Sequence, residues 1–573
     1  MPLTSSSLGT DGHNFQHKMA DKHSLLQPRA KRHQSEALVR KSHQDDLRVE
    51  PERVGVPEQG PNEMMDTNTL KRNGIPQIIA DFRSTAGLGR SPAMTLRAVM
   101  ATRKLFGEED EFSSLSKQMI QLGLVNDLCM VLDSSSCRLQ FEAVWGITNA
   151  MFADAKVVAQ SGAMGKICRL LDSASTPLRE QCMWSLGNFM SKGVRYRNLV
   201  LECDPLLPTK LCNLLTVAYE MTDEMHYQLP QPRDDDLKLP GVVSVAISRS
   251  NYLRQATWAL AGLLRGGDTP SHVVQQLLSS SAMLGLEDLV LTSDLPHTVA
   301  NALWFLADLA ETQSRFVLQM GLCDRIIELG MHSYASAQAA SSQCISNLCA
   351  GDEHSLRALL MLRRADLVLI NHLQSERKEL HQNASWTLSY ACSKLDRLCT
   401  RLGSDLVTIE LLWTLACDMQ TKSEIRQDAI TTLAFVLKSD VLQQHEQIAT
   451  ISLLGLVHLL RGNAGLERDL NLLERALQLA LAILQRAGKP FLYAFEEREG
   501  LAQLHAMECE TNLPSVLANL LELVVGLYAA DRGEEEEEED GETEEQNWQH
   551  LPGVRFASES KGHRQGYQNY NRD

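Results

Sequence analysis

The sequence contains few aromatic residues and none of the familiar catalytic motifs. Phe, Trp and Tyr together make up 5% of its 573 residues. It lacks the P-loop Gly-Lys-Ser/Thr, the Gly-x-Ser-x-Gly nucleophile motif, the His-Glu-x-x-His motif and any zinc-like spacing of Cys. The 17 His residues are dispersed along the chain, which favours surface positions over metal ligands. We therefore expect a protein that is not an enzyme, with no cofactor and no bound metal.

A secretory signal, a transmembrane run and paired cysteines are also missing. The opening residues MPLTSSSLGTDGHNFQHK have no apolar core, and no run of about 18 apolar residues is free of charge. The 13 Cys are an odd number without a Cys-x-x-Cys pair, which favours a reduced, intracellular protein. A net charge of −17 argues against nucleic acid and favours basic protein partners. We expect no membrane partner.

A repeat of about 40 residues is the most informative feature that is present. The segments FEAVWGITN and EQCMWSLGN each place an Asn four residues after a Trp, namely Asn149 after Trp145 and Asn188 after Trp184. The two Trp are 39 residues apart, and AQSGAMGKICRLLDS, which lies between them, matches IQLGLVNDLCMVLDS, which precedes Trp145. Helical segments that recur with this period are typical of armadillo or HEAT arrays. The aligned Trp positions along the chain are Trp145, Trp184, Trp258, Trp304, Gln343, Trp386 and Thr431.

The repeats predict an all-α, right-handed armadillo-repeat solenoid of about ten repeats over residues 74–530. A long step between two repeats contains an insertion, about Glu220–Arg249, whose centre QLPQPRDDDLKLPG predicts a surface loop. Residues 1–73 and the acidic residues 531–573 predict disordered tails. Within the first tail, residues 29–48 predict one mixed-charge helix. This helix is either a solvated linker or a basic segment that docks into an acidic partner.

The recurring Trp and Asn suggest a peptide-binding ladder. A Trp alone requires no function in a helical core, because indole packs well. An Asn at the same phase is a poor core residue without partners, however. On a groove, its amide would bond an extended peptide backbone, while the indoles would hold Lys and Arg stems through cation–π attraction. The pattern therefore favours an extended basic peptide as ligand.

These repeats resemble those of the importin subunit α (karyopherin α) family, with similarity through FEAVWGITN, EQCMWSLGNFMSKGVRYRNLV and YLRQATWALAGLLRG. The segment VRKSHQDD also resembles the importin-β-binding segment of that family. The resemblance implies a nuclear import adaptor that reads basic nuclear localisation signals, binds importin β, is recycled by an exportin-class receptor and shuttles between cytoplasm and nucleus.

The resemblance also implies three sets of site residues. The major signal-binding site would use Trp145, Asn149, Trp184, Asn188, Trp258 and Glu311. The minor site would use Asn347, Glu353, Trp386 and Asp428. The importin-β contact would use Arg29, Lys31, Arg32, Arg40 and Lys41.

The chain departs from the family pattern at several ladder positions. Lys192 stands where the family places an Asp that pairs with the key signal lysine, so it would repel that lysine. The second basic cluster of the N-terminal segment is reduced to Arg48, which makes self-inhibition doubtful. An armadillo scaffold that has lost classical cargo binding is therefore the alternative function. The other departures are Gly262, Asn301, Tyr390, Thr431 and Phe435.

Overall fold

The computed structural model describes residues 75–83, 92–107, 114–230, 242–375, 377–437, 441–442, 445–462, 469–487, 489–508, 517–522 and 524–526. The expected tails, and with them the helix at 29–48 and its importin-β-binding residues, lie outside this part of the chain. The described residues divide after Gly351 into two compact units. We call them the N-terminal unit and the C-terminal unit.

The N-terminal unit is built from short helices that recur in groups of three. In each complete group the third helix is the longest, as the 15–17-residue α5, α8 and α11 illustrate. Within α14 the backbone kinks at Gln313, so a third helix runs directly into the first helix of the next group. The helices are α1 Ile75–Arg83, α2 Pro92–Phe106, α3 Ser114–Gln121, α4 Leu124–Val131, α5 Cys137–Ala153, α6 Ala155–Gln160, α7 Ala163–Leu170, α8 Thr176–Met190, α9 Val194–Cys203, α10 Leu207–Glu220, α11 Arg249–Leu264, α12 Ser271–Leu278, α13 Ala282–Thr292, α14 Pro296–Gln319, α15 Cys323–Leu329 and α16 Ala335–Gly351.

Local sequence signals define the boundaries of these groups. Gly123 and Gly162, the matching glycines of the two aligned segments, both have positive φ (83° and 75°) and turn the chain between the first and second helices. A side chain there would strain the backbone, which explains why both copies use Gly. Ser136 and Asp154 begin α5 and α6 by accepting hydrogen bonds from backbone N–H groups of the first turn. The repeated sequence thus produces a repeated backbone.

The described ends of the insertion before α11 are strands rather than the expected surface loop, and its centre, residues 231–241, lies outside the described part of the chain. Its described residues form two antiparallel strands, β1 Glu224–Pro230 and β2 Val242–Ser248, and β1 contacts α5 while β2 contacts α8 and α11. Alternate residues are apolar, so one face of the hairpin buries Leu229, Val245 and Ile247. This period of two was present in the sequence, and the Pro-rich, charged centre of the insertion concealed it.

The C-terminal unit continues the same helical grouping. A π-helical turn, Ala358–Leu362, follows its first helix, and Arg364 with φ of 60° takes the turn position that Gly occupies earlier in the chain. The helices are α17 Glu353–Arg357, α18 Ala365–Gln374, α19 Lys378–Cys392, α20 Asp396–Gly403, α21 Leu406–Cys417, α22 Ser423–Val436, α23 Glu446–Gly462, α24 Leu470–Ala487, α25 Lys489–Glu497 and α26 Gly500–Glu508.

Within each unit, successive third helices pack against one another. The N-terminal unit joins α2, α5, α8, α11, α14 and α16 in this order, and the C-terminal unit joins α19, α22 and α24. Each group leaves an apolar face that only its neighbours cover, which produces a continuous core of Leu, Ile, Val and Ala. Functional side chains on consecutive third helices are therefore held one repeat apart. The chain has an armadillo-repeat fold.

Candidate functional site

One face of α5 carries a stripe of larger side chains at helical spacing. Arg138, Glu142, Trp145, Asn149 and Phe152 follow one another at intervals of four or three residues, which places them on one side of the helix. Trp145 is 6% exposed, whereas Asn149 and Phe152 are half-buried. The stripe thus presents an amide and a ring edge to solvent, while its indole is largely covered.

Arg103 of α2 covers the ring of Trp145. Its guanidinium carbon lies 3.8 Å from the ring centroid, and its Nε lies 2.8 Å from Oε2 of Glu142. Arg138 approaches the other oxygen of the same carboxylate at 2.7 Å. Glu142 is 1% exposed, so two cations share one buried anion and the cluster carries a net positive charge. The arginine on the indole is therefore held by both a ring and an ion pair.

The ladder asparagines bond to the preceding third helix. Asn149 Nδ2 donates to the carbonyl oxygen of Arg103 at 3.1 Å, and Asn347 Nδ2 donates to that of Ala307 at 2.7 Å. Asn301, one of the departures, makes the same kind of bond to the carbonyl of Arg254 at 3.1 Å. An Asn at these positions therefore links neighbouring repeats, which is a structural role that sequence reasoning missed.

The next two indoles of the expected major site are also buried. Trp184 of α8 is 4% exposed and Trp258 of α11 is fully buried. Trp258 packs on Gly187, where an added Cβ would lie 2.2 Å from its Cδ1 atom. The guanidinium carbon of Arg265 lies 4.3 Å from the Trp258 ring centroid. The expectation that the indoles stand as open walls of a groove is wrong for this structure, because helix packing and internal arginines cover them.

Gly262 occupies the Asn position of α11 for a packing reason. An added Cβ at this residue would lie 2.9 Å from Cε and 3.1 Å from Cβ of Met190 on α8. The two helices approach too closely for an Asn side chain at this point. Asn188, at the ladder position of α8, is 2% exposed.

Lys192 lies beside the α5 stripe. It follows the end of α8, and its Nζ lies 4.7 Å from the centroid of the Phe152 ring. Phe152 is three residues beyond Asn149, on the same face of α5. Lys192 thus adds a second cation to the α5 stripe, at its Phe152 end.

Two expected site residues lie near the end of the N-terminal unit, namely Glu311 of the major set and Asn347 of the minor set. Glu311 is half-buried on α14, one turn after the buried Asp308. Asn347 is 2% exposed on α16, and its Oδ1 accepts a hydrogen bond from Gln343, the residue at the Trp position of this repeat. Gln343 and Asn347 thus bond to each other.

The remaining minor-site residues lie in the C-terminal unit. Glu353 is exposed and pairs with Arg357 at 2.6 Å along α17. Trp386 stacks on Tyr390 with ring centroids 5.3 Å apart and an interplanar angle of 9°. Asp428 is 6% exposed and accepts hydrogen bonds from the hydroxyls of Ser385 and Ser389. The carboxylate of Asp428 is therefore engaged within the unit.

Arg475 approaches the Trp position of the eighth repeat. Its Nη1 donates to the hydroxyl of Thr431 at 2.6 Å. Burial lowers the pKa of the Arg475 guanidinium, and the nearby Asp428 carboxylate opposes this shift by raising it. Arg103 and Arg265 lie over the indoles at Trp positions, whereas Arg475 hydrogen-bonds to the Thr at one, so an arginine contacts the residue at each of these three positions. The sequence signal for this role was an Arg about one repeat away from the Trp position, or just after its helix.

The described residues were also compared with the requirements of a membrane span and of a metal site. None of their helices is both long and apolar enough to cross a bilayer. In the same part of the chain, no three His, Cys, Asp or Glu side chains are grouped so that they could hold a metal ion.

No protein-family model matches the chain. Importin subunit alpha-1a of Oryza sativa subsp. japonica is 26% identical over 370 residues, which cover 63% of this chain. Importin subunit alpha-3 of Arabidopsis thaliana is 25% identical over 330 residues, or 56% of this chain. The chain spans 62% and 54% of the length of these two relatives.

A solved structure with a TM-score above 0.5 resembles the chain in fold. A crystal structure of an engineered protein aligns at a TM-score of 0.59 and 16% identity, over 79% of this chain and 99% of that one. A designed armadillo repeat protein aligns at a TM-score of 0.37 and 16% identity, over 47% of this chain and 99% of that one. With the curated relatives, the sequence similarity is to importin α subunits at low identity. The chain therefore resembles importin α subunits in sequence, at 25–26% identity over 56–63% of its length.

Proposed function

We propose that this chain is a nuclear import adaptor that binds basic nuclear localisation signals through the ladder of its N-terminal unit. The complex would be linked to importin β by the segment at residues 29–48, and an exportin-class receptor would return the chain to the cytoplasm. In this proposal the major signal-binding residues are those on α5 and α8, with Trp258 and Glu311 beyond them. The minor set on the later repeats contributes less.

The observation that carries the proposal is the half-buried amide of Asn149 on the α5 stripe. Its Nδ2 is held by the carbonyl of Arg103, which fixes the orientation of the side chain. Among the described residues, no hydrogen bond reaches its Oδ1, so this oxygen can accept from the backbone N–H of a peptide. The matching Asn188, one repeat further along, is 2% exposed, so Asn149 is the major-site amide that a peptide can reach.

Charge supports a basic ligand at longer range. The net charge of −17 attracts cations towards the whole molecule, and Glu311 is partly exposed on α14. Complementary charge of this kind mainly raises the rate of association and falls with added salt. Binding of a Lys- and Arg-rich signal peptide should therefore weaken as the salt concentration rises.

The test is fluorescence-polarisation binding of a labelled Lys/Arg-rich peptide to the full chain. Asn149→Ala should weaken the affinity about 5- to 10-fold, because one or two hydrogen bonds to the peptide are lost. Asn301→Ala is the matched control. It removes the same 3.1 Å bond between an Asn amide and an Arg carbonyl, but at a residue that is fully buried and cannot touch a ligand.

Equal losses in the two Asn variants would mean that Asn149 acts only through packing, and the ladder would no longer explain binding. A thermal melt of each variant shows whether the two substitutions destabilise the fold equally. This comparison separates contact with the peptide from a general effect on stability.

The link to importin β has a separate test. The charge reversal Arg40→Glu with Lys41→Glu should abolish capture of the full chain by immobilised importin β while leaving peptide binding unchanged. Capture that survives the reversal would remove these residues from the proposed contact.

A scaffold without cargo binding is the second candidate, and the burial of the ladder indoles favours it. Trp145, Trp184 and Trp258 are at most 6% exposed, so a ligand finds little indole surface. A scaffold would bind neither the basic peptide nor importin β. The two experiments above therefore decide between the candidates.

A further inference from the structure

We infer that Arg103 and Arg265 are built-in ligands of the Trp ladder, so that the ladder gains little affinity from a basic cluster over a single basic residue. This inference rests on the proposed function, because it concerns the peptide that the same ladder would bind. It assigns a specificity-determining role to two arginines that lie outside the expected site residues.

The first built-in cation is Arg103. It comes from α2, one repeat before the indole that it covers, and its guanidinium carbon lies 3.8 Å from the Trp145 centroid. The ion pair with the buried Glu142 fixes the arginine in this place. A ligand cation that reached the same ring face would have to displace a side chain that keeps both a ring and a carboxylate.

The second built-in cation is Arg265. It directly follows α11 and lies 4.3 Å from the centroid of Trp258 on that helix. Its backbone carbonyl accepts a hydrogen bond from the buried Arg197, which ties the end of the helix to the next turn. The indole also packs on Gly187, so Trp258 lies between a neighbouring helix and Arg265.

Trp184 lies between these two covered rings. Among the described residues it takes part in no cation–π pair, but at 4% exposure it offers little surface, so at most one basic residue of a ligand can reach a major-site indole. A second or third basic residue of a cluster would instead meet Arg103, Arg265 or Lys192. These cations repel it, so additional basic residues bring no further gain at the ladder.

The test compares two labelled peptides of equal length on the full chain, at about 150 mM salt to limit long-range attraction. One peptide carries a cluster of Lys and Arg, and the other carries a single Lys among Ser and Ala. The measured quantity is the selectivity ratio, the affinity for the cluster divided by the affinity for the single Lys. The proteins are the wild type, Arg103→Gln and the control Arg138→Gln.

Arg138 is the matched control because it pairs with the same carboxylate of Glu142 but does not cover a ladder indole. We expect the wild-type ratio to stay below about fivefold, and Arg103→Gln to raise it at least about fivefold, since a ring face becomes available to a ligand cation. Arg138→Gln should leave the ratio at its wild-type value. Arg265→Gln, which keeps the backbone bond to Arg197, provides an independent second variant and should raise the ratio as well.

An unchanged ratio in both Arg103→Gln and Arg265→Gln, or an equal rise in Arg138→Gln, would overturn the inference while peptide binding itself, and so the proposed function, stands. Binding of neither peptide to any of the four proteins would overturn the inference and the proposed ladder function together. The two failures are therefore distinguishable.

Discussion

The two units of the chain use the same ladder positions for different chemistry. In the N-terminal unit, α5 and α8 keep the Trp and Asn four residues apart, and a half-buried amide remains at Asn149. In the C-terminal unit, the amide of α19 is replaced by Tyr390, which stacks on Trp386. On α22 the Trp position is Thr431, which bonds to Arg475. Repeat position alone therefore does not define a binding residue, because internal partners can occupy it.

Both units cover their Trp positions, but they do so with different consequences. The cations on Trp145 and Trp258 are single side chains held by an ion pair or a backbone turn, and a substitution can remove them without altering the indoles. The stacked pair of Trp386 and Tyr390 consists of the ladder residues themselves. Peptide binding should therefore depend on the N-terminal unit, and the following predictions test this difference.

The largest effect is expected at Lys192. Lys192→Asp should tighten binding of a basic signal peptide, because it replaces repulsion beside Phe152 on the α5 stripe with attraction. Two unit charges about 4 Å apart interact by on the order of 1–4 kcal/mol, depending on the effective dielectric constant. The affinity should therefore rise between about 5-fold and 1000-fold, measured by fluorescence polarisation at low and high salt.

Lys192→Gln is the control for this change, since it removes the repulsion without adding an attractive charge. Its gain should be smaller than that of Lys192→Asp and should depend less on salt. No gain in either variant would show that the peptide does not approach this part of the α5 stripe. The prediction that peptide binding depends on the N-terminal unit would then lose its support.

The sequence was sufficient to predict the repeat, its helical nature and the ladder helices. This succeeded because the 39-residue spacing and the matching Gly123 and Gly162 are properties of the backbone. The covering of the indoles was not predictable, since Arg103 is far from Trp145 in sequence and the contact depends on how adjacent repeats pack. The hairpin was missed because the charged centre of the insertion concealed the alternation in VVSVAIS. Burial of Asp428 likewise depends on two Ser hydroxyls that carry no distinct sequence signal.

A smaller effect, on stability, is expected from substituting two glycines, one in each unit, that each leave room for a neighbouring indole. Gly187→Ala places a methyl group 2.2 Å from Cδ1 of Trp258, and Gly455→Ala places one 2.4 Å from Cδ2 of Trp413. Overpacking of this kind destabilises by about 1–3 kcal/mol, partly offset by the better helix propensity of Ala. Thermal or urea unfolding should therefore show a loss of stability in both variants.

Peptide affinity distinguishes the two glycine variants. Gly187 lies on α8, one residue before Asn188, so its substitution should also weaken peptide binding. Gly455 lies on α23 of the C-terminal unit, and its substitution should leave the affinity unchanged. A loss of affinity in Gly455→Ala would indicate that the later repeats contribute to the peptide site, contrary to the comparison.

The smallest effect is expected for Asp428→Asn in the C-terminal unit. The carboxylate accepts from Ser385 and Ser389 and lies near the buried guanidinium of Arg475, so neutralising it should cost about 1 kcal/mol of stability. In a unit of this size such a loss corresponds to a melting point lower by about 2–4 °C. The affinity for a bipartite signal peptide should change less than about twofold, since the carboxylate already has internal partners.

If the bipartite peptide binds more weakly while a monopartite peptide is unaffected, Asp428 contacts the second basic cluster of the ligand. The C-terminal ladder would then be a working minor site, and the difference between the two units would be one of strength rather than of kind.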